Sequence, residues 1–261
     1  MISASLEPTQ ADLANLFQIK HGPPANAGWG PKTRLAFDYF NPDDRYEALL
    51  NKLIDKHTKW LDVGCGRNIF PSNAPLAQML ADRCRLLVGV DPDDNVEDNP
   101  ALHIKIKEKL EAFESETTFD VITMRMVVEH VTDPTRFVAK LAALTHPGSK
   151  VVVYTVNKWS PVPLMTRLIP ESMRDLLKRY LWSAEERDTF PVAYLMNTKR
   201  QLRPLFHESR FQECHFTYLD DCRTLGRWRR LLRAELRLRQ LLRMVGLRYP
   251  ESCLLAVYER Q

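Results

Sequence analysis

Ten consecutive residues, Lys59-Trp60-Leu61-Asp62-Val63-Gly64-Cys65-Gly66-Arg67-Asn68, limit the folds open to this chain more than any other stretch. Trp60, Leu61 and Val63 suit a buried strand, Asp62 stands near its end, and two glycines alternate in the turn that follows. Glycine permits a sharp bend and lets backbone N–H groups approach a ligand closely. The next helix would aim its N-terminus at the same place, which favours a carboxylate or a phosphate there. The spacing excludes two common glycine loops. A dinucleotide fingerprint, G-x-G-x-x-G, needs glycine where Ile69 stands, and a P-loop needs a Gly-Lys-Ser/Thr that is absent.

Further strands follow at regular intervals. Leu86-Leu87-Val88-Gly89-Val90-Asp91 reads as a second buried strand ending in a carboxylate, and Ala101 to Ile106 as a short third. Phe119 to Met124 is a fourth strand, leading into Glu129-His130-Val131-Thr132-Asp133-Pro134. A helix over 134–144 and a strand over 150–155 come next. Such alternation implies a parallel sheet covered on both faces. Before it, Thr9 caps a helix to about Ile19, a Gly/Pro-rich loop spans 22–31, and Asn41-Pro42 opens a helix to about Lys56.

Taken together, L-D-V-G-C-G, G-V-D, F-D-V-I, E-H-V-x-D-P, H-P-G-S and Y-T-V-N resemble the landmarks of class I S-adenosylmethionine (SAM) methyltransferases. The E-H-V-x-D-P segment is similar to the branch with the ubiquinone-biosynthesis O-methyltransferases and other small-molecule enzymes. The resemblance implies a Rossmann-like α/β fold: a mostly parallel seven-stranded sheet, an antiparallel last strand, and helices on both faces. It implies SAM as cofactor and S-adenosylhomocysteine as product. Asp62, Gly64, Cys65 and Gly66 would hold the methionine end, Asp91 with Pro92 the ribose, and Met124, Arg125 and Met126 would flank the site. The adenine partner that relatives carry after strand three has only Glu108 as a candidate here.

Length and composition agree. A chain of 261 residues, 44% hydrophobic, can bury a full core. The expected organisation is one methyltransferase domain over 1–261, with N-terminal helices 1–57, a core 58–157, a helical lid or substrate insert 158–196, and a basic helical insert 223–248. The lid holds Pro161, Pro163, Pro170 and Pro191, helical stretches near 163–168 and 171–182, and the aromatics Trp159, Trp182, Phe190 and Tyr194. A helix over 198–207, strand six over 211–218 and a last strand over 252–258 complete the pattern. No run of eighteen apolar residues exists, and no charged, apolar leader opens the chain. Five cysteines without paired spacing fit neither a disulfide framework nor zinc, so a cytoplasmic enzyme is expected.

Segment 223–248 carries nine arginines and one acid, Glu235. At 100° per residue Arg229, Arg230, Arg233 and Arg237 share one face, with Trp228, Leu231, Leu232, Leu236 and Leu242 elsewhere. The simplest expectation is a surface helix packing its leucines on the sheet. A basic amphipathic helix can also lie on an anionic membrane or meet an acidic partner. No stacking-aromatic pattern of RNA recognition accompanies it, which argues against nucleic acid.

Methyl transfer is an in-line displacement that needs alignment, exclusion of water and often removal of a proton. His130, just past the fourth strand at the edge where open α/β folds bind ligands, is the candidate general base. Alternatively, Glu129 and His130 only tie down neighbouring backbone. Glu129, His130 and Asp133 are also a loose candidate for a divalent metal, but turn and cap chemistry is the commoner use, and no metal site is expected. Three function classes therefore stand. The leading one methylates a small molecule, most simply at oxygen. The others modify RNA or protein through the arginine helix, or keep the fold as a non-catalytic interaction module.

Overall fold

The structure, a computed structural model, describes residues 6–161, 164, 191–222 and 226–261. Seven strands form one sheet: β1 Lys59–Val63, β2 Leu86–Val90, β3 Ile104–Ile106, β4 Phe119–Arg125, β5 Thr145–Val156, β6 Phe211–Asp220 and β7 Glu251–Arg260, in the order β3-β2-β1-β4-β5-β7-β6. Strands β1 to β5 pair in parallel, and β7 runs antiparallel to both β5 and β6. This is the fold the landmarks predicted. Strand β3 is shorter than expected, while β5 begins at Thr145 and shifts register against β4 between Phe119 and Val121.

Side chains alternate across the sheet and build two cores. Trp60, Leu87, Val121, Val152 and Tyr154 face helices α1 Gln10–His21, α3 Pro42–Leu53 and α4 Ala74–Arg83. Leu61, Val63, Ile122, Met124 and Val153 face α5 Pro134–Ala143 and α6 Lys199–Glu208. Continuous apolar strands of this kind require both faces to be covered. Helix starts follow local chemistry: Thr9, Asn73, Asp133 and Thr198 each accept a backbone N–H through the side chain.

Two expectations change. The Gly/Pro-rich loop ends earlier, because Trp29–Ala36 forms a short helix, α2, with Pro31 tolerated in its first turn. The helix expected behind the glycine turn starts only at Ala74, so a loop over 64–73 intervenes and Asn73 caps the helix. The predicted helices at 163–168 and 171–182, with Trp182 and Phe190, lie outside the described residues except for Leu164.

Helix α3 buries an unusual charged face. Lys20 donates to Asp44 at 2.9 Å and to Glu47 at 3.2 Å, and Asn73 Nδ2 donates to Glu47 at 2.7 Å. Burial pushes the Glu47 carboxyl up to about 7 even beside Lys20. Removing one partner from a buried ion pair strands the other. Lys20→Met is therefore expected to lower the unfolding free energy by about 3–5 kcal/mol at pH 8. The loss should shrink at pH 6, where Glu47 takes up a proton. Equal losses at both pH values in urea titrations would contradict this account.

Candidate active site

The chain extends the sheet from β1 toward β2 and β3, then returns to place β4 on the other side of β1. That reversal opens a crevice at the carboxyl ends of β1 and β4, where ligands of open α/β sheets bind. Gly64 and Gly66 lie there with φ of +70° and +46°. A Cβ on Gly64 would stand 2.3 Å from Cγ2 of Val127, so this close approach admits only glycine. Gly89 plays a packing role beneath, since its missing Cβ makes room for Leu102 and the Cys65 thiol.

Asn99, fully buried, donates through Nδ2 to the carbonyls of Cys65 and Gly66, at 3.3 and 3.0 Å. It thereby fixes the orientation of the loop's peptide groups. The Asp91 carboxylate accepts from Gly66 N at 2.9 Å and Asp93 N at 2.8 Å. Each oxygen keeps further lone-pair capacity, enough for a diol. Pro92 follows it and is exposed. Arg67 points away, bonded to Asn95 and paired with Asp98. Cys65 is buried, which pushes its thiol up and makes it a poor nucleophile.

Asp62 is 3% exposed and shares the sheet face of Trp60. Thr123 donates its hydroxyl to Asp62 Oδ1 at 2.5 Å while accepting from the Trp60 indole at 2.7 Å. Burial nevertheless pushes the Asp62 carboxyl up to about 7, opposed by the Thr123 bond and by Arg125. The Tyr46 hydroxyl is fully buried, near Asp62 and Thr123, and makes no hydrogen bond of good geometry among the described residues. Beside it, Tyr154 stacks on Tyr46 and donates to Asp43 Oδ1 at 2.8 Å. Arg125, at the end of β4, pairs with the same Asp43 at 3.4 Å. Met124 is buried in the core, whereas Met126 is half-buried with φ +53°.

His130 lies in a short 3₁₀ turn, Val128–His130, behind β4. Its Nδ1 stands 3.0 Å from the Pro191 carbonyl, so Nδ1 carries the proton and the lone pair of the neutral ring lies on Nε2. Glu129 turns inward instead. Thr155 donates to its carboxylate at 2.6 Å, and its carbonyl accepts from Ala193 and Tyr194. Asp133 caps α5 through Arg136 N. Among the described residues no three potential ligands converge on a metal position, and these three residues point to separate tasks. Glu108 lies exposed just after β3, and Trp159 is exposed.

The sequence reading missed Asp43, Tyr46, Asn99, Thr123 and Tyr154. One signal was present for Asp43: three acids, Asp43, Asp44 and Glu47, gather in the first half of the helix beside Tyr46, Ala48, Leu49 and Leu50, and all are buried.

Residues 36–213 match the family model described as Methyltransferase domain. The chain belongs to that family. It is similar to the ubiquinone biosynthesis O-methyltransferase of Coxiella burnetii, 29% identical over 165 residues, covering 56% of this chain and 68% of that one. Among solved structures, magnesium protoporphyrin IX methyltransferase from Synechocystis with bound S-adenosylhomocysteine superimposes with TM-score 0.52 at 10% identity, covering 95% and 94% of the two chains. A SAM-dependent methyltransferase from Mesorhizobium loti gives 0.52 at 17% identity, covering 86% and 100%. The chain is a SAM-dependent methyltransferase of class I.

The crevice fits that cofactor. Buried carboxylates at Asp62 and Asp91, glycines that admit close approach and a Tyr46 hydroxyl without a hydrogen bond of good geometry suit a ligand with a sulfonium, an ammonium and a diol. The electrostatics also make a stability prediction. Asp62 and Glu47 have folded pKa values near 7, above their ordinary 3.8 and 4.5. Between those limits the folded state binds more protons than the unfolded one, so their contribution to stability is full near pH 4 and lost as pH rises through 7. Half-buried His21 and His215, whose pKa burial lowers, slope the other way. The readout is therefore a comparison: ligand-free Asp62→Asn should lose less stability than wild type between pH 5.5 and 8 in urea unfolding. Parallel pH dependences would refute the assignment.

Proposed function

We propose that this enzyme methylates a hydroxyl oxygen of a small molecule, with His130 as general base. The observation that carries the reading is the Pro191 carbonyl against Nδ1, which sets the tautomer that leaves Nε2 basic. The name of the Coxiella relative supports oxygen as the acceptor atom. Bound SAM would supply an electrophilic methyl group on a sulfonium.

The chain's own residues have distinct tasks on this reading. Gly64, Cys65 and Gly66 present backbone donors to the methionine carboxylate, and Asp62 takes the ammonium, whose charge draws it to the ionised form. Asp91, followed by Pro92, accepts the two ribose hydroxyls. Arg125 and Met126 flank the sulfonium side, while Met124 contributes backbone only, its side chain being in the core. His130 Nε2 removes the acceptor's proton as the oxygen attacks in line. Asp43, held by Tyr154 and Arg125, positions the Arg125 side chain at the crevice rim.

Calorimetric titration with SAM and S-adenosylhomocysteine tests the cofactor residues. Wild type should bind both in the micromolar range, and Asp91→Ala should weaken each by about tenfold or more, two hydrogen bonds to an ionised acceptor being lost. For the base, His130→Ala should lower turnover by about 10²–10⁴ while S-adenosylhomocysteine affinity stays unchanged. Turnover on a hydroxylated acceptor that survives this substitution intact would sink His130 as base. Methylation of an amine but of no hydroxyl would move the acceptor to nitrogen.

A further inference from the structure

The arginine-rich segment forms helix α7, Arg229–Met244. Its buried side differs from the expected sheet-packing face. Leu232 and Leu236 pack against Tyr39 and Cys222, with Trp29, Phe37 and Tyr249 around them. Glu235 and Arg239 are buried on the same side: Tyr249 donates to Glu235 at 2.8 Å, and Arg239 pairs with Asp220 while lying over the Tyr39 ring. The helix's one acid is thus turned inward, and the exterior carries no negative charge.

That exterior is not uniformly polar. At 100° per residue, Leu231, Ala234, Leu238, Leu241 and Val245 form a single stripe. Four of them are large and open to solvent: Leu231 44%, Leu238 50%, Leu241 58% and Val245 70% exposed. Met244 and Leu247 extend the apolar surface at the helix end. Arg230, Arg233 and Arg237 run directly beside the stripe, and none has a carboxylate partner among the described residues. A helix that already buries one apolar side has no folding reason to keep a second one in water.

We propose that α7 docks this enzyme on an anionic lipid bilayer, with the leucine stripe in the headgroup–acyl boundary and the arginines on lipid phosphates. Charge and apolarity select this occupant. A second copy would bring its own unpaired arginines against these, and like charges at an apolar contact repel. A nucleic acid would satisfy the arginines but leave the leucines wet. A bilayer surface satisfies both at once, as interfacial helices with basic polar faces do. The placement adds weight. Strand β6 runs with β5, so Asp220, to which Arg239 is tied, lies at the carboxyl edge that holds the crevice. Docking by α7 therefore brings that edge close to the lipid. The inference stands independently of the acceptor atom.

Full-length protein is mixed with sedimentable vesicles of phosphatidylcholine alone and of equal parts phosphatidylcholine and phosphatidylglycerol. Partition into the anionic vesicles should exceed that into neutral ones and fall in about 0.5 M salt. Arg233→Glu with Arg237→Glu should lower it by about fivefold per arginine or more. Leu238→Asp with Val245→Asp should lower it by at least about tenfold. All four positions are exposed, and unchanged circular dichroism and S-adenosylhomocysteine affinity confirm folded variants. Absent binding to anionic vesicles overturns the proposal. So does binding that the leucine-stripe variant leaves intact, which would indicate a purely polyanionic partner. A concentration-dependent dimer abolished by Leu238→Asp, without vesicle binding, would assign the stripe to a second copy.

Discussion

Everything at the crevice depends on one close approach, that of the Gly64 backbone to Val127. The first belongs to the turn after β1 and the second to the segment after β4, strands that are neighbours only because the chain reverses its direction of sheet growth at β1. Without a Cβ at Gly64 the two segments close to contact, and the loop from Cys65 onward is displaced toward β2. There Asp91 and Asn99 hold its N–H and C=O groups respectively. A side chain at Gly64 would push Val127 away, and with it the Val128–His130 turn.

Carboxylates dominate the chemistry of this crevice. Asp43, Asp62, Asp91 and Glu129 are all buried around it, an arrangement that costs stability in the absence of a cation. Each has a different compensation: Tyr154 and Arg125 for Asp43, Thr123 for Asp62, two backbone amides for Asp91, and Thr155 for Glu129. At Asp62 burial outweighs the Thr123 bond and the Arg125 charge, and pushes the carboxyl up to about 7. An active site that stores desolvation energy in this way releases it when a cationic ligand arrives, so affinity and ligand-free stability oppose each other.

The strands, the mostly parallel sheet with its antiparallel last strand, and the carboxylates at the ends of β1 and β2 were legible in the sequence because strands and glycine turns are local patterns. Asp62, Gly64, Gly66 and Asp91 follow directly from them. The order of the strands was not read. The Asp43–Tyr154 pairing was not legible, since the bond joins residues 111 positions apart and the Y-T-V-N landmark that contains Tyr154 says nothing of its partner. The Tyr46 and Asn99 roles depend likewise on tertiary placement. At α7 the period separated leucines from arginines, but the leucines expected on the sheet divide between two apolar sides, one on Tyr39 and Cys222 and one in solvent. Periodicity separates leucines from arginines but cannot tell which leucines meet Tyr39 and which meet solvent. The short helix α2 was hidden by Gly28, Gly30 and Pro31, whose turn signal is equally suited to a helix start.

Tyr39 links the two functional regions. Its hydroxyl donates to the Asp220 carbonyl at 3.1 Å and accepts from Cys222 N at 2.8 Å, while its ring receives the Arg239 guanidinium. Four residues onward the same chain carries Asp43, which meets Arg125 and Tyr154 at the crevice. The start of α3 is therefore held at one end by the support of α7 and at the other by the crevice wall. Any force on α7 passes through a buried aromatic and a helix N-terminus before it reaches Arg125, a short path with little room to relax. A surface that engages α7 would in this way bear on the geometry of the crevice rim as well as on the enzyme's location.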